Sequence, residues 1–231
     1  MGEYTKIKTT DGAFDAYMAK PAKTPAAVIV VLQEIMGVNH TIRGVADDLA
    51  AQGFIAIAPD LFWRQQPGVD LDDRKPEEWQ KAFGLYQGFD LKKGVADVSA
   101  TVAAAKTLPG ANGKVGVVGF CLGGLLTFLS AVKNEADASV AYYGGGTDQH
   151  IAEGAKIKKP VLMHLAGADE YITAEPQRII NDGLKSNTNV EIHTYPGRNH
   201  AFTRKEGSHY HAGDSETANG RTYAFFKKHL A

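Results

Sequence analysis

Residues 114–124 of this chain are KVGVVGFCLGG, an apolar stretch that ends in a Gly-x-Cys-x-Gly pattern. The β-branched valines predict a buried strand, and the apolar residues from Leu122 onward predict a helix. Gly119 and Gly123 flank the cysteine, where small residues are needed because the strand and the helix approach each other closely. A strand, a sharp turn and a helix in this order would expose the central side chain, Cys121, at the strand end.

Cys121 is the only cysteine in the chain, which excludes an internal disulfide and favours a reducing compartment such as the cytoplasm. Most free cysteines are small buried hydrophobic residues, and that alternative applies here too. The position between an apolar strand and a helix favours a catalytic nucleophile instead. Such a turn also aims the following backbone N–H groups and the helix N-terminus at the reacting centre.

Strand and helix patterns alternate outward from this stretch in both directions. The predicted strands are 4–9, 14–19, 26–33, 54–58, 115–119, 138–143, 161–165 and 190–195, and the predicted helices are 40–52, 95–108, 122–132, 176–184 and 216–230. Residues 61–89 mix aromatic and charged side chains and are predicted to form a partly helical cap over the sheet. This alternation predicts an α/β fold, with a mostly parallel central sheet and helices on both faces, in a single domain over residues 1–231.

Loops after two later strands supply a candidate acid and a candidate base. Asp169 follows strand 161–165, and His200 follows strand 190–195. Since parallel strands end at the same edge of a sheet, both residues are expected beside Cys121. His200 would take the thiol proton, and Asp169 would orient the imidazole. Glu170 is adjacent, and a role for Asp169 as a turn residue only is the alternative.

Composition and charge exclude several function classes. A hydrophobic fraction of 44%, a charged fraction of 22% and a net charge of −1 give no indication of a nucleic-acid or membrane partner. No apolar run approaches the roughly 18 residues of a membrane span, and the first residues lack the apolar core of a signal peptide. The sequence has neither metal-ligand spacing of His and Cys nor a phosphate-binding glycine loop, so no metal or organic cofactor is expected.

The sequence closely resembles the dienelactone hydrolase family, the carboxymethylenebutenolidases of the α/β-hydrolase fold, over nearly its whole length. The resemblance is specific in four segments: QEIMG at 33–37, APDLF at 58–62, GFCLGG at 119–124 and HAF at 200–202. It implies hydrolysis of an ester or lactone by a triad of Cys121, His200 and Asp169. It also implies that Glu34 hydrogen-bonds the resting thiol and that the backbone N–H groups of Ile35 and Leu122 form the oxyanion hole. A charge directly after a buried strand, as at Glu34, itself requires a specific partner.

By the same resemblance, Arg204 would hold a carboxylate of the substrate. Tyr142 or Tyr143, at the end of a predicted strand, is expected to line the same pocket. The alternative for Arg204 is an ordinary surface arginine. The family's second carboxylate-binding arginine aligns with Trp79, and a neighbouring tyrosine aligns with Phe83. These two departures predict a more apolar pocket, suited to a larger or aromatic substrate.

A small-molecule ester or lactone, including an anionic one, is therefore the expected partner of a chain that is a monomer or a weak homodimer. Two other hypotheses remain open. One is a general carboxylesterase or thioesterase of the same fold. The other is a homologue that binds small molecules in the pocket without turnover, because a fold does not fix a function.

Overall fold

The computed structural model describes residues 2–231, which form an eight-stranded sheet with helices on both faces. The strands are β1 Glu3–Thr9, β2 Gly12–Ala19, β3 Ala26–Leu32, β4 Ile55–Pro59, β5 Ala111–Phe120, β6 Ala138–Tyr142, β7 Val161–Ala166 and β8 Val190–Tyr195. The helices are α1 His40–Ala51, α2 Pro76–Gln87, α3 Leu91–Ala105, α4 Leu122–Lys133, α5 Ala174–Leu184 and α6 Ala212–His229, with a 3₁₀ helix at Thr147–Lys156.

The strand order across the sheet is β1-β2-β4-β3-β5-β6-β7-β8. β1 and β2 form an antiparallel hairpin, and β2 pairs antiparallel with β4. Every pair from β4 to β8 is parallel. The predicted α/β fold with a mostly parallel sheet is confirmed.

The central strand β3 shows why the sheet needs helices on both faces. All seven of its residues are buried. Successive side chains of a strand point to opposite faces, so Val28 and Val30 belong to one buried cluster and Ile29 and Val31 to another. The first cluster includes residues of α3, and the second includes residues of α1 and α6. Strands that are buried on both faces are typical of helix-covered parallel sheets.

The active-site edge is set by the order of β4, β3 and β5. From β3 the chain runs through α1 to β4 on one side, whereas β5 pairs with β3 on the other side. The carboxyl ends of β3 and β5 lie side by side, with Leu32 opposite Gly119. This reversal of direction leaves a crevice at the strand ends, which is where open α/β sheets bind ligands.

Several element boundaries differ from the sequence prediction; β5 and α6, for example, begin at Ala111 and Ala212, four residues before their predicted starts. Helix α3 begins at Leu91, four residues earlier than predicted, because the Asp90 side chain caps it by accepting a hydrogen bond from the Lys93 amide at 3.0 Å. The 3₁₀ helix Thr147–Lys156 was not predicted. Within residues 2–231, no helix is long and apolar enough to cross a membrane.

Candidate active site

The turn between β5 and α4 holds Cys121 in a strained backbone conformation. Its φ is 55° and its ψ is −114°, in the positive-φ region that residues other than glycine rarely adopt. A Cβ atom on Gly119 would lie 2.1 Å from the Gly123 carbonyl oxygen, and one on Gly123 would lie 2.4 Å from the Leu32 carbonyl oxygen. The flanking glycines therefore permit the close approach of β5, α4 and β3 that raises the thiol above the sheet.

The structure brings His200 and Asp169 together near Cys121. The Nδ1–H group of His200 donates to Oδ2 of Asp169 at 2.9 Å, and both side chains are buried. The other carboxylate oxygen of Asp169 accepts from the amides of Tyr171 and Ile172 at 2.9 and 3.0 Å. Three donors thus hold the Asp169 carboxylate in place, and it in turn fixes the orientation of the imidazole.

The neighbouring acid, Glu170, points away from this pair. Its side chain is exposed and accepts a hydrogen bond from Asn199 at 3.3 Å. Its own backbone N–H donates to the Asn199 side chain at 2.9 Å. In this arrangement Asp169, rather than Glu170, is the carboxylate in contact with His200.

The charge state of His200 is set by its two neighbours. Burial lowers its pKa, but the negative charge of the Cys121 thiolate and the hydrogen bond to Asp169 outweigh this and raise the pKa to about 10. Its Nε2 atom is buried and has no hydrogen-bond partner among residues 2–231. His200 and Cys121 line the same cavity, so a protonated Nε2 lies where it can donate a hydrogen bond to a reacting group.

Two backbone N–H groups converge on the same place. Those of Ile35 and Leu122 donate to no protein acceptor in the described part of the chain, and both residues line a cavity with Cys121. The next amide, that of Gly123, donates to the Gln33 carbonyl oxygen at 3.0 Å and so ties α4 to the end of β3. Unused backbone donors beside a nucleophile are the geometry that an oxyanion hole requires.

Glu34 forms an ion pair rather than the expected hydrogen bond to the thiol. Its Oε2 atom accepts from Nε of Arg204 at 2.7 Å, whereas its Oε1 atom is buried without a hydrogen-bond partner in residues 2–231. Nη1 of the same arginine donates to Oδ2 of Asp73 at 2.8 Å. The side chains of Arg204, Glu34 and Asp73 are all buried, with 8%, 3% and 5% exposed. We call these three residues the buried ion cluster.

An inner cavity of about 110 Å³ lies over Cys121. Its walls are mainly aromatic, and they include the predicted residues Trp79 and Phe83. The indole N–H of Trp79 donates to the Asp73 carbonyl oxygen at 2.8 Å, which connects this wall to the buried ion cluster. The predicted apolar lining is thus present at these two positions.

Two further aromatic residues, Tyr86 and Tyr171, line the inner cavity and were not predicted. Burial is the main cause that raises the pKa of Tyr86, and the charge of Cys121 adds to it. The aromatic character of residues 61–89 was the available signal for Tyr86. Asp73 was also missed, since a carboxylate in an exposed-looking charged run gave no signal of its buried partner.

Tyr142 does not line the cavity, which corrects the expectation for this residue. It is fully buried, and its hydroxyl group contacts Asn219 at 3.0 Å and Thr222 at 2.5 Å. Its ring stacks on Phe120 with centroids 4.7 Å apart. The end of a strand defines an edge of the sheet but not the face that a side chain takes, and Tyr142 faces α6.

Tyr143 is also buried, with its hydroxyl 2.7 Å from the Thr203 hydroxyl and its ring 5.0 Å from the His200 ring. It therefore packs against the base from behind and is absent from the cavity wall within the described residues.

An outer cavity of about 310 Å³ adjoins the inner one. The two share the residues Trp79, Phe83, Tyr171, His200 and Arg204. The outer walls add polar groups, among them Glu170, Ser208 and His209. Residues 2–231 contain no group of three or more His, Cys, Asp or Glu side chains with the geometry of a metal site.

A strained cysteine turn after the fifth strand, with an acid and a histidine after later strands, is the arrangement typical of the α/β-hydrolase fold. The model of the dienelactone hydrolase family matches residues 14–230, and the chain belongs to that family. It is a hydrolase of ester or lactone bonds.

Several named relatives and many solved structures are similar to this chain, among them two proteins and one crystal structure. A protein of Azospirillum brasilense, provisionally named a carboxymethylenebutenolidase, is 45% identical over 231 residues and covers 95% of each chain. The carboxymethylenebutenolidase of Pseudomonas putida is 40% identical over 224 residues and covers 96% of this chain and 95% of its own. A crystal structure from Klebsiella pneumoniae, provisionally named a dienelactone hydrolase, has a TM-score of 0.86 at 26% identity, with 99% and 98% of the two chains covered.

Proposed function

We propose that this enzyme hydrolyses its ester or lactone through a covalent thioester on Cys121, with His200 and Asp169 as the other members of the triad. The observation that supports this most directly is the strained Cys121 turn beside a buried His200–Asp169 hydrogen bond of 2.9 Å. Backbone strain of this kind persists where the surrounding structure imposes it, and it is concentrated at functional sites.

The first half-reaction forms the acyl-enzyme. The Cys121 thiolate donates an electron pair to the substrate carbonyl carbon, and the carbonyl oxygen becomes an oxyanion that the amides of Ile35 and Leu122 stabilise. As the tetrahedral intermediate collapses, the C–O bond breaks and the Nε2–H of His200 protonates the leaving oxygen. In a lactone the released hydroxyl group stays tethered to the acyl group.

The second half-reaction restores the thiol site. Neutral His200 removes a proton from a water molecule, whose oxygen attacks the thioester carbonyl. The C–S bond then breaks, the thiolate leaves, and the acid product forms with His200 again protonated. Asp169 stays ionised throughout and stabilises the imidazolium.

Glu34 belongs to this proposal as a positioning residue. It holds Arg204, whose guanidinium lines both cavities and can contact the substrate through the nitrogen that binds neither carboxylate. The aromatic walls favour an apolar or aromatic substrate group.

We propose that the chain acts in the cytoplasm as a monomer or weak homodimer. Light scattering coupled to size-exclusion chromatography tests the oligomeric state.

The test is ultraviolet-monitored hydrolysis of cis- and trans-dienelactone and of a neutral aryl acetate. Cys121→Ala and His200→Asn should each reduce kcat/KM by at least about 10³-fold. His229→Asn, a histidine outside both cavities, is the matched control and should retain wild-type rates. If Cys121→Ala hydrolyses every substrate as fast as wild type, the cysteine mechanism is refuted.

The same assay separates the alternative functions. Turnover of the aryl ester without the lactone would favour a general esterase of this fold. Ligand binding with a thiol that does not react with iodoacetamide would favour a binding protein without turnover. A matching thioester substrate tests the thioesterase alternative.

A further inference from the structure

The buried ion cluster bears on the charge of the substrate. We infer that this enzyme selects uncharged esters or lactones over carboxylate-bearing ones, and that Asp73 is the residue that sets this preference. The inference rests on the proposed function, because it concerns the substrate of the same site.

The first step is that Arg204 already has two anionic partners. Glu34 binds its Nε at 2.7 Å, and Asp73 binds its Nη1 at 2.8 Å. One cation and two anions are thus buried together, with at most 8% of any of these side chains exposed. The carboxylates of Glu34 and Asp73 more than balance the positive charge of Arg204. They would therefore repel a substrate carboxylate that approached this arginine.

The second step is that no other cation compensates. Among the described residues that line the two cavities, Arg204 is the only lysine or arginine. Glu170 adds a negative charge to the outer wall. The carboxylate of Asp169 lies behind His200, with its Oδ2 atom 2.9 Å from Nδ1. Carboxylates therefore outnumber guanidinium and ammonium groups around the two cavities, and a partly desolvated cavity strengthens their field.

The third step identifies Asp73 as the determinant. Glu34 lies two residues after β3, at the edge of the sheet beside Cys121, whereas Asp73 reaches Arg204 from the segment that forms the aromatic wall. The same residue accepts the Trp79 indole N–H through its carbonyl oxygen at 2.8 Å. One residue thus fixes both the apolar surface and the compensation of Arg204. An anionic ligand at Arg204 would have to compete with the Asp73 carboxylate, which the aromatic wall holds in place.

Asp73→Asn separates the charge of this residue from its shape. Asparagine keeps an oxygen that can accept from Arg204 and keeps the backbone carbonyl that binds Trp79. Glu206→Gln is the matched control, because Glu206 is exposed, binds Arg74 on the surface and lies two residues from Arg204. Both substitutions remove one negative charge from the same region, but only the first removes it from the buried ion cluster.

The experiment compares two matched substrate pairs: dienelactone with its methyl ester, and 4-acetoxybenzoate with its methyl ester. Each kcat/KM is divided by the compound's own hydroxide-catalysed rate constant, which corrects for intrinsic reactivity. Wild type should favour the uncharged member of each pair by about tenfold or more. Asp73→Asn should shift this ratio toward the anion by about tenfold, and Glu206→Gln should leave the ratio unchanged.

If wild-type enzyme hydrolyses the carboxylates at the same corrected rate as their methyl esters, the inference is overturned. This test needs no variant, so it stands even if the Asp73→Asn protein folds poorly. A folded Asp73→Asn protein with an unchanged ratio would overturn the role of Asp73. Loss of all hydrolysis in Cys121→Ala with an inverted charge preference in wild type would leave the proposed function intact and refute only this inference. Hydrolysis that does not depend on Cys121 would refute the proposed function instead.

Discussion

Replacing Arg204 with methionine is the perturbation whose effect on folding follows most directly from the structure. The substitution keeps much of the aliphatic stem but leaves the carboxylates of Glu34 and Asp73 buried without a cation. Both carboxylates lie at hydrogen-bond distance from Arg204, and both are almost fully buried. Removing one partner from a buried ion pair is more costly than replacing the whole pair, because it leaves an uncompensated charge.

The magnitude has a lower and an upper bound. Each ion pair contributes about 4 kcal/mol at a charge separation of about 4 Å and an effective dielectric constant of about 20, so two lost pairs approach 8 kcal/mol. Either carboxyl group can limit the loss by taking up a proton, which costs about 4 kcal/mol at pH 7 for a group with an ordinary pKa near 4. We expect Arg204→Met to reduce the free energy of unfolding by about 3–5 kcal/mol, as for other broken buried pairs.

This reasoning also fixes the sign of a pH effect. If the folded variant holds an extra proton that the unfolded chain releases, its stability must rise as the pH falls. Between pH 7 and 5 the deficit relative to wild type should shrink by up to about 1.4 kcal/mol per pH unit. The double variant Arg204→Met/Asp73→Asn should be more stable than Arg204→Met alone, since one of the uncompensated charges is gone.

The assay is urea unfolding monitored by tryptophan fluorescence at pH 5, 6 and 7. Arg178→Met is the matched control, because Arg178 also binds two carboxylates, those of Glu175 and Asp182, but is 62% exposed. Exposed pairs of this kind contribute little, so its loss should stay below about 1 kcal/mol. Equal destabilisation by the two substitutions, with no pH dependence for Arg204→Met, would refute the reasoning.

Three further predictions concern the nucleophile turn and the titration of two histidines. Gly123→Ala should reduce kcat at least about tenfold and lower the melting temperature, since its Cβ would lie 2.4 Å from the Leu32 carbonyl oxygen; a wild-type rate would contradict this. The raised pKa of His200 stabilises the fold; this contribution is complete below pH 6.5 and is lost as the pH rises to about 10. Cys121→Ala removes the negative charge that is the main cause of the raised pKa, so it should flatten the fall in urea-unfolding stability between pH 7 and 9.5. An unchanged slope would argue against the ion pair. Burial lowers the pKa of His164, so the contribution of this neutral histidine to stability is present above pH 6.5 and is lost below it. In the same assay, His164→Gln should weaken the loss of stability between pH 6.5 and 5. An equally steep loss in the variant would exclude His164 as its source.

The sequence was sufficient to predict the fold because the strands of this sheet are short, apolar and buried on both faces. Runs such as AAVIVVL in β3 have no helical periodicity, and alternation with amphipathic helices leaves few topologies other than a parallel sheet. The same logic predicts that Cys121, Asp169 and His200 meet, since all three lie in turns or loops that follow strands ending at one edge. The structure places His200 on Asp169 at 2.9 Å, across 31 residues of sequence.

What the sequence could not give is the pairing of side chains from distant loops. Arg204 and Asp73 are 131 residues apart in the chain, and neither lies in a periodic segment that would have located it. Tyr142 shows the same limit at closer range. Its place at the end of β6 was predictable, but the direction of its ring depends on Phe120 and on Thr222 of α6, which only tertiary packing brings together.

The charges of the site divide into two groups with separate consequences. Cys121, His200 and Asp169 form one group, in which the charge of Cys121 and the hydrogen bond to Asp169 outweigh burial and raise the pKa of His200. Arg204 and the carboxylates of Glu34 and Asp73 form the other group. Because Asp73 lies outside the proposed triad, we expect its replacement to change the charge preference without altering the groups that we propose to make and break bonds.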